Sequence, residues 1–178
     1  MIYSNTGFKL KNTLQLISNG DQGISLPYIN QYQTADDLYN DIPNCLNVQR
    51  WYDMTGIWQV WDGAGTNFDV TPGEAYRVSV SQDTYWLVVG SHNPSLSLTL
   101  LANGYANNIS IPYHTTLVNA DGIKQAIPNC IQVSRWNQVT GTVDTWTGRG
   151  NNFTLIPGEG LIVRISGTVD QTWKPPVY

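Results

Sequence analysis

The sequence predicts an all-β protein made of two tandem, homologous small β-barrels or β-sandwiches that pack as a pseudo-twofold pair. The first observation behind this prediction is an internal duplication, because residues 24–83 laid on residues 109–168 give roughly 25 identical positions in about 60. The second is a series of short runs in each copy that alternate apolar and polar residues and are separated by Gly and Pro turns. We therefore expect about six strands and one short helix in each unit.

The ends of the repeat set the predicted domain boundaries. We expect a lead-in segment over residues 1–12, a first β repeat over 13–90, a linker over 91–95 and a second β repeat over 96–178. The lead-in shows no strong periodicity, so it is interpreted either as a loose segment or as a strand that a neighbour borrows. The linker is short, and the two units are expected to dock closely.

Each unit is predicted to open with a β-hairpin. In the first unit its strands are Leu14–Ile17 and Ile24–Tyr28, and Asn19-Gly20 between them is a strong tight-turn signal. The second unit repeats this arrangement, with Asn103-Gly104 between two apolar runs.

A short helix is predicted next in each unit. Thr34 is a candidate N-cap for a helix over Ala35–Tyr39, and Asn119 is the matching cap in the second copy. Leu38 and Ile123 hold equivalent positions after these caps. One apolar side chain is therefore expected to pin each helix to its sheet.

The central strand of each unit begins at its cysteine and alternates with a period of two. Leu46, Val48 and Arg50 are predicted to share one face of this strand in the first copy. A Thr-Gly turn then leads into a second strand, which contains Trp61 in the first copy and Trp146 in the second.

A Pro-Gly turn and a final strong strand close each unit. Pro presets φ in such a turn and Gly takes the positive φ of a type II turn. The strand is predicted to point its alternate side chains inward, and these are Tyr76, Val78 and Val80 in the first copy and Leu161, Val163 and Ile165 in the second.

Composition argues against several classes of partner. The 9 Lys and Arg residues face 13 Asp and Glu residues, for a net charge of −4, so no basic field attracts a phosphate backbone and nucleic acid is not expected as a partner. No apolar run approaches about 18 residues, and membrane insertion is not expected. Only 12% of the residues are charged, and such uncharged polar surfaces are common in extracellular and virion proteins. The N-terminus lacks the pattern of a signal peptide, so we expect an export signal, if one exists, to lie outside this chain.

The sequence contains no motif for a catalytic, metal or cofactor site. The two cysteines and two histidines have no ligand spacing, so neither a metal nor a cofactor is expected. Asp83, Ser91 and His92 lie close in sequence in a predicted loop, which leaves hydrolysis as a remote alternative. Because catalysis needs a base or nucleophile held by a partner, the chain is predicted not to be an enzyme.

The two cysteines are predicted to be structural. Cys45 and Cys130 hold equivalent positions at the start of a central strand, where side chains are normally covered. They are interpreted either as two buried free thiols or as a disulfide across the pseudo-twofold axis.

Two repeated charges in each copy are also predicted to be structural. Arg50 with Glu74, and Arg135 with Glu159, recur together although most other charges do not. An unpaired guanidinium on an apolar face would be costly, so we predict one Arg–Glu ion pair in each unit.

Three short stretches recur in both copies in the same order: Ile24-Ser25-Leu26-Pro27 and Ile109-Ser110-Ile111-Pro112, then Arg50-Trp51 and Arg135-Trp136, then Thr71–Tyr76 and Ile156–Leu161. This order resembles a bacterial extracellular β module with a Gly-Trp-Asn-Leu-Ile-Ser-Leu-Pro opening, a Trp-x-Tyr-Asp centre and a Glu-Pro-Gly-Lys-Gly-Tyr-Trp-Val close. Modules of that kind are accessory domains of secreted enzymes and surface proteins. The resemblance implies an exported, non-catalytic protein.

Two functions from different classes remain after these exclusions. The favoured hypothesis is structural assembly or adhesion, outside a cell or on a particle surface, through β edges that contact copies of this chain or another protein. The alternative is a carbohydrate-binding accessory module, because exposed indole faces stack on sugars. The candidate indole platforms are Trp51, Trp61, Trp136 and Trp146.

Aromatic residues are concentrated in the first copy, which predicts the principal contact surface there. If Tyr32, Tyr52 and Trp58 are exposed together, they form an amphipathic patch of the kind enriched at interfaces. Trp58 is the predicted anchor of this patch.

Overall fold

The computed structural model describes residues 10–18, 20–52, 55–91 and 93–177. Strands account for 47% of the structure and helices for 9%, so the prediction of an all-β protein is confirmed. None of the helices in these residues has the length and apolar character needed to cross a membrane. Of the predicted lead-in over residues 1–12, residues 1–9 lie outside the described residues and residues 10–12 belong to the first strand.

Twelve strands and two helices are described, six strands and one helix on each side of residue 92. We call residues 10–91 the N-terminal half and residues 93–177 the C-terminal half. The first contains β1 (Leu10–Leu16), β2 (Gln22–Ser25), α1 (Ala35–Asp41), β3 (Cys45–Tyr52), β4 (Ile57–Trp61), β5 (Ala75–Val80) and β6 (Thr84–Gly90). The second contains β7 (Leu98–Leu100), β8 (Asn107–Ser110), α2 (Ala120–Ala126), β9 (Cys130–Asn137), β10 (Thr142–Trp146), β11 (Gly160–Ile165) and β12 (Gln171–Trp173).

Each half has one four-stranded sheet and one two-stranded ribbon, all antiparallel. The sheet orders are β2-β5-β3-β4 and β8-β11-β9-β10, and the ribbons are β1-β6 and β7-β12. The strand order within the sheet and the pairing of the ribbon are therefore the same in both halves.

The predicted opening hairpins are wrong. β1 pairs with β6 and β2 pairs with β5, so the first two strands belong to different sheets. The buried Gln22 side chain connects β2 to the end of β1. Its Nε2 donates to the Ile17 carbonyl at 2.7 Å, and its Oε1 accepts from the Ile17 amide at 2.8 Å. Asn107 makes the matching pair of bonds to Leu101. Asn19 of the predicted turn lies outside the described residues.

Both short helices begin at the predicted caps. Thr34 accepts from the Asp37 amide at 3.4 Å, and the Asp37 carboxylate accepts from the Thr34 amide at 2.9 Å, which completes a capping box. Asn119 accepts from the Gly122 amide at 2.8 Å. Leu38 and Ile123 are fully buried, so each helix is pinned to its half as expected.

Each half has its own hydrophobic core around its four-stranded sheet. Tyr76, Val78 and Val80 point into the first core, as predicted, and the matching residues of β11 point into the second. The prediction that Leu46 shares a face with Val48 is wrong, since Leu46 is 49% exposed and Val48 is fully buried. A register shift between Cys45 and Asn47 leaves Leu46 as an extra, bulged residue.

Reciprocal contacts join the two halves. Ser25 donates its amide to the Gly158 carbonyl, and Ser110 donates its amide to the Gly73 carbonyl, both at 2.8 Å. The hydroxyl groups of two tyrosines make a second reciprocal pair of hydrogen bonds between the halves. Tyr28 donates to the Ser110 carbonyl, and Tyr113 donates to the Ser25 carbonyl. The two Pro-Gly turns require glycine where the halves meet. Gly73 and Gly158 have a positive φ, and a Cβ at either position would collide with a leucine of the opposite half.

Candidate functional site

The outer strand of the first four-stranded sheet, β4, is apolar and exposed. β4 is hydrogen-bonded only to β3, so its other edge has no strand partner among the described residues. It contains no charge and no proline, and Ile57 and Val60 are 62% and 47% exposed. Natural proteins usually protect such edges with charges, prolines or bulges. The β4 edge strand is therefore a candidate for pairing with another chain.

The matching edge of the second sheet is different. β10 has Thr142 where β4 has Ile57, and Asp144 where β4 has Gln59. Asp144 is half-buried and points to Arg135. A charge on an edge strand opposes the addition of another strand, so this edge is protected where the β4 edge strand is not.

Only part of the predicted aromatic patch is found at this edge. Tyr52 is 41% exposed and lies opposite Ile57 in the ladder, but Tyr32 is only 6% exposed. Tyr32 packs in the core and donates its hydroxyl to Asp41, so its predicted place in an exposed patch is wrong. Trp58 is half-buried, with its ring 5.1 Å from the Trp51 ring in an edge-to-face contact.

Trp58 takes part in the seam between the two halves. The Arg77 guanidinium lies 4.5 Å from the centre of the Trp58 ring and 4.9 Å from the centre of the Trp136 ring. Arg77 is also paired with Asp21. One cation thus stacks on an indole from each half, a contact that stabilises the seam.

The remaining candidate indoles are held by their own half. Trp61 donates Nε1 to Asp36 at 3.1 Å, and Trp146 donates Nε1 to Asp121 at 3.0 Å. Both rings also pack against the core of their half. They therefore have a structural role in addition to any contact with a ligand.

A groove of about 520 Å³ runs between the halves. One wall is β1 of the N-terminal half and the other is formed by the β9–β10 hairpin and the second Pro-Gly turn. Trp136 lines this groove and also the smaller cavity that contains Arg77. The wall carries amide and hydroxyl side chains beside apolar ones, namely Asn12, Thr13, Gln15, Asn137, Gln138, Thr140, Leu14, Ile24 and Val139.

In the Arg–Glu pair of the N-terminal half, both carboxylate oxygens of Glu74 accept a hydrogen bond. Arg50 Nε lies 2.8 Å from Glu74 Oε1, and the Tyr76 hydroxyl donates to Glu74 Oε2 at 3.1 Å. The Thr71 amide donates in turn to the Tyr76 oxygen at 2.6 Å. Burial raises the pKa of Glu74, while Arg50 and the hydrogen bonds from Arg50 and Tyr76 oppose that rise.

The matching pair of the C-terminal half is shared and incomplete. Arg135 Nε lies 3.0 Å from Asp144 Oδ2, and its Nη1 lies 3.5 Å from Glu159 Oε1. Glu159 Oε2 is buried without a hydrogen-bond partner in the described chain. Burial raises the pKa of Glu159 to about 7 and Asp144 adds to the rise, while Arg135 and the Ile156 backbone oppose it.

Next to Glu159 is a second cavity, of about 210 Å³. Leu161 lines it at the repeat position that Tyr76 holds in the other half, and Leu117 lines it at the position of Tyr32. Glu159 and the exposed Ile156 line both this cavity and the groove. We call it the Leu161 cavity.

The cysteines are separate thiols in this structure. Cys45 is half-buried and Cys130 is 7% exposed. Burial raises the pKa of the Cys45 thiol to about 11 and also raises the pKa of Cys130. Both groups are therefore held in the protonated, slowly reacting form.

The described residues contain no cluster of metal ligands, and two of the three residues of the hydrolytic alternative make contacts with other parts of the chain. No group of three or more His, Cys, Asp or Glu side chains in the described ranges is placed to hold a metal ion. Asp83 accepts hydrogen bonds from the amide and hydroxyl of Ser18, and Ser91 pairs with the backbone of Ile29. His92 lies outside the described residues.

Comparisons with protein-family models, with curated proteins and with solved structures find no match for this chain. Its candidate sites therefore rest on geometry. Sequence reasoning missed Ile57 and Val60 at the open edge. It also missed that Asp144 shares Arg135 with Glu159 and that Leu161 lines a cavity next to Glu159. A comparison of the two sequence copies could have found them, because Ile57, Gln59 and Tyr76 are replaced in the second copy. The neighbouring Arg–Glu pair is kept in both copies.

Proposed function

We propose that this chain is a non-catalytic β protein, located outside a cell or on a particle surface, that assembles by adding a strand to its β4 edge. The carrying observation is that this edge is apolar, uncharged and unpaired within the described residues, whereas the matching β10 edge carries Asp144. Main-chain hydrogen bonds across an open edge supply affinity, and the flanking side chains supply selectivity. The occupant we propose is the β4 edge strand of a second copy, in an antiparallel twofold contact.

The organisation we propose for the chain is two homologous β units over residues 13–90 and 96–178, joined by the linker 91–95 and packed as a pseudo-twofold pair of small barrels or sandwiches. The equal strand order of the two sheets and the reciprocal hydrogen bonds between the halves support it. The extracellular module that the sequence resembles has the same non-catalytic character.

Side chains around the edge favour a specific contact. Tyr52 and Ile57 are opposite each other on one face, and Trp58 and Val60 lie on the other. Tyrosine, tryptophan and aliphatic side chains beside an open edge bury apolar area once a second strand covers it. Trp58, held by Arg77, would provide a rigid part of that surface.

Sedimentation velocity over a hundredfold range of about 2 to 200 µM would test the proposal, because strand pairing between copies is driven by mass action. We expect a concentration-dependent dimer, and we expect Ile57→Lys to weaken it without lowering the melting temperature. The matched control is Thr142→Lys at the equivalent position of β10, which should leave association unchanged. A monomer at every concentration, or equal loss with the control variant, would contradict the proposal.

Glycan binding is the second candidate, and the groove between the halves favours it. Trp136 forms part of its wall, with amide side chains from Asn12, Gln15 and Asn137 around it. An indole surrounded by planar polar groups is suited to a sugar ring. Quenching of tryptophan fluorescence by neutral oligosaccharides, absent in Trp136→Ala, would favour this candidate over assembly.

A further inference from the structure

Tyr76 and Leu161 hold matching positions in the two halves but differ in chemistry. Tyr76 is fully buried, its ring stacks on Phe68 with centres 6.3 Å apart, and its hydroxyl donates to Glu74. The C-terminal half keeps the glutamate as Glu159 but has Leu161 in place of the tyrosine. The backbone at the two sites is the same, since Tyr76 pairs with Ile24 as Leu161 pairs with Ile109.

This replacement leaves both a cavity and an unpaired oxygen. The Leu161 cavity is about 210 Å³, and Glu159 Oε2 has no partner within the described chain. A buried carboxylate oxygen without a donor is costly, and a group that restores the missing hydrogen bond gains the free energy that Tyr76 supplies in the other half.

We propose that the Leu161 cavity is a binding site for a small phenolic ligand whose hydroxyl donates to Oε2 of Glu159. The ligand takes the part that the Tyr76 side chain plays in the N-terminal half. Its ring lies among apolar residues, which are Ile111, Pro112, Leu117, Leu155 and Leu161.

The size and the access of the cavity suit such a ligand. An apolar protein cavity of about 150 Å³ is large enough to bind benzene, so a space of about 210 Å³ accommodates a phenol with a small para substituent. Ile156 and Pro157 are exposed and line both the cavity and the groove between the halves. The ligand therefore enters beside the second Pro-Gly turn.

The hydroxyl decides which ligand is accepted. A hydrocarbon of the same shape fills the space but leaves Oε2 unpaired, whereas a phenol fills the space and donates to it. An aliphatic alcohol donates but lacks the flat apolar body. We therefore expect p-cresol, which reproduces the tyrosine side chain, to bind more tightly than toluene by at least about tenfold.

Binding is expected to depend on pH through Glu159, because the ionised carboxylate is the better acceptor. The groups that act on this carboxylate are Arg135, the Ile156 backbone and Asp144. Since the pKa of Glu159 is raised to about 7, the fraction ionised rises roughly tenfold between about pH 6 and pH 8. The affinity for p-cresol should rise in the same direction and by up to that factor.

The experiment is a titration of the full chain with p-cresol and with toluene, followed by NMR and calorimetry. We expect one saturable p-cresol site, loss of that site in Leu161→Tyr, and a second site in Tyr76→Leu. If Leu161→Tyr does not fold, Leu161→Phe blocks the same space without adding a hydroxyl. Glu159→Gln should reduce the preference for p-cresol over toluene while the cavity remains.

Three results would overturn the inference. The first is the absence of saturable p-cresol binding to the wild-type chain. The second is equal p-cresol affinity in a folded Leu161→Tyr or Leu161→Phe variant, which would place the ligand elsewhere. The third is equal affinity for toluene and p-cresol, which would show a hydrophobic cavity without recognition by Glu159.

Discussion

Glu74 and Glu159 hold the same position in the two copies of the repeat, yet one carboxylate is satisfied and the other is not. Glu74 accepts from Arg50 and from Tyr76. Glu159 shares its arginine with Asp144 and has a buried oxygen without a partner in the described chain. Strand order and register agree around both sites, so the difference comes from the side chains rather than from the backbone.

Two substitutions account for this difference. Tyr76 is matched by Leu161, which removes a donor and leaves a cavity, and Gln59 is matched by Asp144, which adds a negative charge. Both changes disfavour an ionised Glu159, because a lost hydrogen bond and a like charge each raise the pKa of a carboxylate. Both carboxylate oxygens are therefore hydrogen-bonded in the N-terminal half, whereas the C-terminal half has a carboxylate oxygen without a partner in the described chain, next to a cavity.

The largest expected effect comes from removing the arginines. Arg50→Met and Arg135→Met should each lower the free energy of unfolding by about 3 to 5 kcal/mol at pH 8, because each leaves buried carboxylate charge without a partner. The loss should be greater for Arg135, which faces two carboxylates. Urea unfolding at pH 8 would measure both variants, and sub-kilocalorie losses in both would show that the pairs are solvated.

Removing the two carboxylates should have different effects on the free energy of unfolding. Glu74→Gln should lower the free energy of unfolding by about 3 kcal/mol, because Arg50 loses its carboxylate partner. Glu159→Gln should not lower it at pH 8, since Arg135 still pairs with Asp144 and the variant lacks a carboxylate whose ionised form is disfavoured by folding.

The free energy of unfolding is expected to depend on pH through Glu159. The pKa of Glu159 is raised on folding, so the folded chain binds more protons there than the unfolded chain between the ordinary glutamate pKa and about 7. This residue therefore makes stability fall as pH rises through that window. Glu159→Gln should remove this slope in urea unfolding measured from pH 5 to pH 8. A wild-type curve without any such slope would contradict the raised pKa.

The seam between the halves gives a smaller effect. Trp58→Ala should lower the free energy of unfolding by about 2 kcal/mol, because Trp58 stacks on Arg77 and contacts Trp51. Val143→Ala, at the matching position, should cost less than about 1 kcal/mol because Val143 is 47% exposed. Thermal unfolding would compare the two. Equal losses would show that Trp58 contributes no more to stability than the half-exposed Val143, and that its contact with Arg77 has no measurable effect.

Much of the architecture could be predicted from the sequence because the signals are local and repeated. The caps at Thr34 and Asn119 and the inward residues of β5 and β11 were readable from side-chain type and period. The ion pairs of Arg50 and Arg135 could be inferred because both partners recur, and the structure contains both pairs.

The errors arise where a non-local interaction overrides a local signal. The turn before β2 indicates a hairpin, but the seven-pair ladder of β1 with β6 takes that strand into another sheet. A bulge turns Leu46 outward, and no single-sequence pattern marks it. The extra aromatic residues of the first copy predict an exposed contact surface that includes Tyr32, yet Tyr32 is a core residue whose hydroxyl donates to Asp41.

The smallest comparison concerns the two thiols. Cys45 and Cys130 should both react at least about a hundredfold more slowly with a thiol reagent in the native state than in denaturant, because burial keeps them protonated. Cys130 should be the slower of the two, since it is 7% exposed and Cys45 is half-buried. Rapid native labelling of either thiol would contradict burial, and a lack of labelling after unfolding would reveal a disulfide.

The most direct test of the central comparison is the carboxyl pKa of Glu159, followed by NMR with carbon-13-labelled glutamate in the wild-type chain and in Leu161→Tyr. A pKa near 7 is predicted for the wild type, and the tyrosine should lower it by donating a hydrogen bond and filling the cavity. The Glu74 resonance in the same spectra serves as the internal reference and should not move between the two proteins. A wild-type Glu159 that titrates in the ordinary glutamate range, or one that the added tyrosine leaves unchanged, would contradict the account.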